Sequence, residues 1–128
     1  MLKKSLMLLA VAAVSLCFFG PAAFSQEDMK NVPNEVFGAP RRPAAVFPHD
    51  AHNEKAQIED CAVCHHGGKD GKMDKEDMTA GTACVECHPV AGAPGQTSLM
   101  RAFHKQCVGC HLERKAGPVA CGQCHVNK

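Results

Sequence analysis

The sequence has 128 residues but no tryptophan and no tyrosine, and aromatic residues make up only 5% of it. After residue 25 the only aromatic side chains are Phe37, Phe47 and Phe103. A chain of this size with so few large apolar side chains buries too little surface for a conventional core. This shortage argues against a fold that side-chain packing alone holds together.

The chain also lacks a strong excess of one charge, since 14 Lys and Arg stand against 13 Asp and Glu. A nucleic-acid-binding domain normally has a basic excess, so we expect no nucleic-acid partner. The charge is unevenly distributed, with 5 basic and one acidic residue in 97–128 against 7 basic and 12 acidic residues in 26–96. This asymmetry predicts either a patch that orients a redox partner or a merely solvated surface.

Only one long apolar run is present, at residues 6–20, and two lysines precede it. The small residues Ala23 and Ser25 then provide a cleavage motif, so we predict a secretory signal peptide at residues 1–25. A retained membrane anchor is the alternative, but the run is shorter than the roughly 20 residues of a spanning helix. We therefore expect one exported domain, residues 26–128, with no membrane insertion after cleavage.

In contrast, cysteine is abundant, with nine residues in the chain. Every cysteine after residue 25 belongs to one of four C-x-x-C-H motifs: CAVCH, CVECH, CVGCH and CGQCH. The cysteines are Cys61, Cys64, Cys84, Cys87, Cys107, Cys110, Cys121 and Cys124, and the histidines are His65, His88, His111 and His125. C-x-x-C-H is the attachment signature of c-type haem, in which two thiols form thioethers and the histidine ligates the iron. The pattern predicts four haem c groups.

Other uses of paired cysteines explain the pattern less well. Structural zinc sites use C-x-x-C pairs but do not require a histidine after each second cysteine. A disulfide framework or a thioredoxin-like redox pair leaves the four histidines unexplained in the same way.

Four histidines lie outside the signatures, one for each remaining axial position. They are His49, His52, His66 and His104, whereas the competing methionines Met29, Met73, Met78 and Met100 show no comparable placement. His65 and His66 are adjacent, with Cα atoms about 3.8 Å apart, and cannot straddle one iron, so they should serve two different haems. His49 and His52, three residues apart, should also serve two different haems.

Residues 98–115 are predicted to form the most regular helix, because apolar and ligand residues recur there at helical spacing. The glycine-rich, charged residues 66–84 are predicted to form a solvated loop. The alternative is a calcium loop, but the EF-hand spacing is absent. Residues 26–45 contain three prolines and are expected to run extended over the surface.

The stretches FPHDAH, CAVCHH and CVGCHLE resemble the tetrahaem cytochrome c3 family of sulfate-reducing bacteria. The resemblance covers nearly all of residues 26–128, and the chain is most similar to the type II, acidic cytochrome c3. Type I members are often lysine-rich and have four residues between the cysteines of the second and fourth signatures. This chain is not lysine-rich, and it has two residues between the cysteines of every signature. The resemblance implies a small haem-dominated domain, mostly loops with a few short α-helices and a short N-terminal β-hairpin. It also implies four axial pairs: His65 with His49, His88 with His66, His111 with His52, and His125 with His104.

The resemblance further implies a periplasmic electron carrier and not an enzyme. Two histidines on each iron leave no position for a substrate, and the absence of an axial methionine favours low potentials. The expected partners are a type I cytochrome c3 or a hydrogenase, and a membrane-bound redox complex of anaerobic sulfate respiration. Two alternatives are a small multihaem reductase with one open iron and a structural zinc module. The residues alone also allow the roles of His49 and His52 to be exchanged.

Overall fold

The computed structural model describes residues 29–126, apart from the side chain of Lys69. The predicted signal peptide, residues 1–25, lies outside the described residues. The elements in chain order are α1 (His49–Ala56), β1 (His66–Lys69), β2 (Lys72–Met78), α2 (Cys84–Cys87), α3 (Leu99–Arg114) and α4 (Cys121–Cys124). Short 3-10 turns occupy Glu35–Phe37 and Cys61–Val63. Long irregular segments connect these elements, as expected for the fold class.

Helix α3 is the longest element and matches the helix predicted over residues 98–115. Ser98, extended at ψ 152°, is its N-cap, although its side chain makes no capping hydrogen bond. At the other end Lys115 adopts the left-handed conformation at φ 53°, and its N–H donates to the carbonyls of His111 and Leu112. The chain therefore leaves α3 by a left-handed C-cap of the kind that ends many helices.

A two-stranded antiparallel sheet lies between the first two signatures, so the loop prediction for residues 66–84 was wrong over most of its length. Lys69 pairs with Lys72 across a two-residue turn in which Asp70 and Gly71 have φ values of 52° and 74°. Asp-Gly is a preferred sequence for such a tight hairpin turn because both positions require positive φ. The register shifts between His66 and Gly67, which leaves an irregularity beside the first signature.

The N-terminal segment pairs antiparallel with itself where the resemblance implied a short hairpin, through an isolated bridge between Asn31 and Val46. The N–H of Phe47 donates to the carbonyl of Lys30 at 2.8 Å, and that of His49 donates to the carbonyl of Met29 at 3.2 Å. The segment thus turns back on itself and ends against the first residue of α1.

The described residues contain almost no hydrophobic core. Ala62 and Leu99 are the only buried hydrophobic residues among them, with exposed fractions of 3% and 1%. Large apolar side chains such as Leu112 and Met100 are 61% and 59% exposed. This confirms the expectation that side-chain packing does not by itself organise the fold.

Few elements touch one another directly. The hairpin packs on the 3-10 turn of the first signature, and α2 packs on α3. In the described part of the chain, α1 packs against no other helix or strand. None of the helices in residues 29–126 has the length and apolar character needed to cross a membrane.

Candidate haem-binding sites

All four C-x-x-C-H signatures adopt one turn of helix, although they lie in different elements. The backbone N–H of the signature histidine donates to the carbonyl of the first cysteine in the first, second and fourth signatures, at 2.8, 2.8 and 2.9 Å. The third signature lies inside α3. One helical turn brings residues i and i+3 to the same face, so each pair of thiols is presented together with the histidine beside it.

Local side chains cap three of these turns, a feature that the sequence reasoning did not identify. Asp60 accepts a hydrogen bond from the N–H of Ala62 at 2.9 Å, ahead of the first signature. Glu86 accepts from the N–H of Ala83 at 3.0 Å, and Gln123 accepts from that of Ala120 at 2.9 Å. These acceptors satisfy N–H groups that a short helix cannot pair internally.

The eight histidine rings form four pairs. Ring centroids are 6.3 Å apart for His49 and His65, 6.0 Å for His52 and His111, 6.1 Å for His66 and His88, and 6.3 Å for His104 and His125. Each pair contains one signature histidine and one histidine from outside the signatures. The rings that lie together are those of the residues that the resemblance pairs.

The ring separation leaves a gap that suits one metal ion between two imidazoles. A metal–nitrogen bond of about 2 Å, plus roughly 1 Å from nitrogen to ring centroid on each side, gives a centroid separation of about 6 Å. Among residues 29–126, no three His, Cys, Asp or Glu side chains converge as ligands of one metal ion. Each pair supplies two ligands, which suits a haem iron, since that iron takes only two protein ligands.

The thiols and the missing core fit the same group. All eight cysteines from Cys61 to Cys124 are free, so they are available for thioether bonds. The many exposed apolar side chains would gain a partner from an apolar macrocycle, which would supply volume that the chain's own side chains do not.

The chain connects the four ring pairs in series. His49 and His52 both lie on α1 but contribute to different pairs. His65 and His66 are adjacent in sequence and also contribute to different pairs. The third connection is α3, which carries His104 and His111. The pair of His49 and His65 is therefore linked to two others by segments of only two to four residues.

Most of the histidines are oriented by a hydrogen bond from Nδ1. The acceptors are the Asp50 carboxylate for His49 (2.7 Å), Asn53 Oδ1 for His52 (3.4 Å), and the carbonyls of Gly67 for His66 (2.8 Å), Thr97 for His88 (3.0 Å), Pro118 for His111 (2.5 Å) and Pro43 for His125 (2.7 Å). Such a bond fixes the ring and leaves Nε2 as the metal-binding nitrogen. The sequence could not identify the four backbone partners, since carbonyls carry no residue signature.

Burial shifts the pKa values of several site residues. The pKa of His65 lies below its usual value, because burial disfavours the imidazolium and the neighbouring His49 and His66 rings repel a second positive charge. The neutral imidazole is the form that binds a metal. Burial also raises the pKa of the Cys64 and Cys84 thiols, and raises that of Cys107 to about 11.

The competing methionines lie mostly at the surface, with Met73, Met78 and Met100 more than half exposed. A separate polar cavity of about 620 Å³ opens between residues 91–98 and the basic side chains of Arg101 and Lys105. These two residues belong to the basic C-terminal third that the charge count identified.

Comparison with known proteins places the chain among haem proteins. The model of the class III cytochrome c family matches residues 25–125. A cytochrome c3 of Desulfovibrio desulfuricans is 34% identical over 62% of this chain and 76% of its own length. A 26 kDa cytochrome c3 of Desulfomicrobium norvegicum is 33% identical over 68% of this chain and 81% of its own length.

Among solved structures, a cytochrome c7 from Geobacter sulfurreducens is 27% identical, covering 78% of this chain and 100% of its own, with a TM-score of 0.37. The family match spans all four signatures and the four further histidines. The chain therefore belongs to the class III cytochrome c family, the multihaem electron-transfer proteins with covalently bound haem c.

Proposed function

We propose that this chain carries four haem c groups, each bound by two thioethers and two axial histidines, and that it transfers electrons in the periplasm. The single observation that carries the proposal is the set of four histidine ring pairs with centroids 6.0–6.3 Å apart. Each pair joins a signature histidine to one of the four others, so the eight histidines are used once each.

The roles of the residues follow from their positions. The two cysteines of each signature would hold a haem, and the adjacent histidine would ligate its iron. His49, His66, His52 and His104 would supply the second ligand at the first, second, third and fourth signatures. The bound haem supplies reversible one-electron exchange at its iron. The Nδ1 hydrogen bonds hold the rings in orientation and increase ligand basicity, which stabilises ferric iron and lowers the potential.

We further infer that the protein is an electron carrier and not an enzyme. If both axial positions of each iron are occupied by histidine, no iron is open to a substrate. The small reductase with an open iron remains as the contrasting outcome of the experiment below.

The proposed partners are redox proteins: a type I cytochrome c3 or a hydrogenase on one side and a membrane-bound redox complex of sulfate respiration on the other. The similarity to cytochromes c3 supports this assignment. The predicted signal peptide at residues 1–25 supports a periplasmic location. The basic residues Arg101 and Lys105, which precede and follow His104 on α3, would favour a partner with an acidic surface.

The test uses the full-length gene expressed in a host that attaches haem c in its periplasm. Intact mass and haem absorbance give the number of haems per chain, and the spectrum of the reduced protein is recorded before and after addition of carbon monoxide. Four haems that do not react with the gas are expected. Fewer haems would refute the stoichiometry, and a spectral change at one haem would refute saturated ligation and favour the reductase.

A further inference from the structure

Two long-range hydrogen bonds connect α3 to the two elements that carry the ligands of the first site. The Gln106 side chain donates from Nε2 to the carbonyl of Val63 at 2.7 Å. The Arg114 guanidinium donates from Nη1 to the carbonyl of Ala56 at 2.8 Å. These bonds span 43 and 58 residues of sequence, so neither belongs to local secondary structure.

Gln106 reaches the C-terminal end of the first attachment turn. Val63 is the last residue of the 3-10 turn Cys61–Val63, and Ala62 beside it is one of the two buried hydrophobic residues. The Gln106 side chain also hydrogen-bonds the Cys64 thiol. One amide thus contacts both the backbone and a thioether-forming sulfur of the first signature.

Arg114 reaches the C-terminal end of α1. Ala56 is the last residue of that helix, where carbonyl groups have no partner within the helix. A cation at a helix C-terminus is also favoured by the helix dipole. This bond therefore ties the end of α1 to α3, in addition to the contact between the His52 and His111 rings.

We propose that Gln106 and Arg114 are positioning residues that hold α1 and the first attachment turn on α3, and thereby set the geometry of the haem sites whose ligands those elements carry. This inference rests on the proposed function, because it assumes that the paired histidines bind haem iron. The two residues act on different elements: Gln106 holds the turn that leads into His65, whereas Arg114 holds a helix that bears both His49 and His52.

This difference predicts a distinct pattern for each variant. Gln106→Met removes the donor at nearly constant side-chain length and should loosen only the site of His49 and His65. Arg114→Met should loosen two sites, those of His65 and His111, because both take their second histidine from α1. The sites of His88 and His125 should stay unchanged in both variants. Lys115→Met is the matched control, since it removes the same charge one residue later from a side chain without a hydrogen bond in the described region.

Two measurements on the haem-loaded proteins test the pattern. Hydrogen–deuterium exchange should accelerate about fivefold in residues 61–65 of Gln106→Met and in residues 49–56 of Arg114→Met, which corresponds to the roughly 1 kcal/mol of one hydrogen bond. Carbon monoxide should also react with the reduced variants, although it should not react with the reduced wild type. The reaction should involve a quarter of the haem absorbance in Gln106→Met and half in Arg114→Met.

Conservative variants keep the test decisive if a methionine variant fails to mature. Arg114→Lys retains the charge and a donor and should restore most of the protection, whereas Gln106→Glu retains the size but not the donor and should behave like Gln106→Met. Equal effects at all four sites, or a Lys115→Met control that matches Arg114→Met, would overturn the inference. Unchanged variants on a wild type with four saturated haems would also overturn it while leaving the proposed function intact. A wild type that already binds carbon monoxide would refute the proposed function instead.

Discussion

Removal of the His104 side chain should open one haem site and leave the other three closed. His104 pairs only with His125, at a centroid separation of 6.3 Å. It is exposed, and no hydrogen bond to its ring is present in the described structure. His104→Ala therefore removes a ligand without leaving a buried polar partner unsatisfied, unlike substitution of His88, whose Nδ1 donates to the Thr97 carbonyl.

The expected magnitude follows from the one-to-one pairing. Each histidine belongs to a single ring pair, so one substitution opens one site in four. About a quarter of the haem absorbance of reduced His104→Ala should therefore shift on addition of carbon monoxide, whereas that of the wild type should not.

The matched control is Met100→Ala, one helical turn earlier on α3. Met100 is 59% exposed and is the methionine closest in sequence to His104 among the alternative ligands. This variant should bind no carbon monoxide. The pairing would be refuted if His104→Ala stayed unreactive, if all four haems shifted together, or if Met100→Ala opened a site.

The same approach tests the order of His49 and His52. In a background with Cys61→Ala and Cys64→Ala, which lacks the first haem, His49→Ala should open no further site because its iron is missing. His52→Ala in that background should open one, because its ring faces His111 at 6.0 Å. The reverse result would show that the two histidines exchange roles, as the sequence alone allowed.

Three further predictions concern packing, backbone and charge. In a denaturant titration, Leu99→Ala should lower the free energy of unfolding by about 2–4 kcal/mol, because Leu99 is the one large fully buried side chain of the described residues. The control Leu112→Ala, at a position 61% exposed, should change that free energy by less than about 0.5 kcal/mol. Gly117→Ala should displace His111 and alter the spectrum and potential of the third site, since a Cβ at Gly117 would lie 2.8 Å from the His111 ring. Gly95→Ala has a similar positive φ but meets nothing within 4 Å, so it should lose only the roughly 1–2 kcal/mol of left-handed backbone strain; equal spectra for the two variants would contradict this account. Finally, residues 26–128 carry 13 acidic against 12 basic side chains, and each added electron makes the haem-loaded chain more negative, so reduction should be coupled to proton uptake. The midpoint potentials should then fall as pH rises from 6 to 8, by at most about 59 mV per unit for one proton per electron, and constant potentials would refute the coupling.

Some features were predictable because they depend on spacing along the chain. C-x-x-C-H fixes two thiols and an imidazole on one helical turn, whatever the surrounding fold, and all four signatures adopt that turn. The helical spacing of residues 98–115 predicted α3 almost to its ends. The shortage of large apolar side chains also predicted the near absence of a core.

The Asp70-Gly71 pair is a local signal for a hairpin that the loop prediction for residues 66–84 did not take into account. Asp70 and Gly71 form the tight turn of the β1–β2 hairpin, a region predicted to be a loop because of its charge and glycine content. Asp-Gly between two short runs is a hairpin signal in its own right, so this error concerned interpretation and not missing information.

Spacing along the chain predicts four covalent attachment points, each with one histidine, and four further histidines to share among them. It also predicts that His65 and His66 serve different sites, since adjacent residues cannot reach opposite faces of one ring. Which histidine rings lie together depends on the tertiary structure. The path of the chain brings His52 to His111, and it places Gln106 and Arg114 on backbone carbonyls far away in sequence. Carbonyls are common to all residues, and contacts across long loops depend on the whole path of the chain, so no local pattern could specify them.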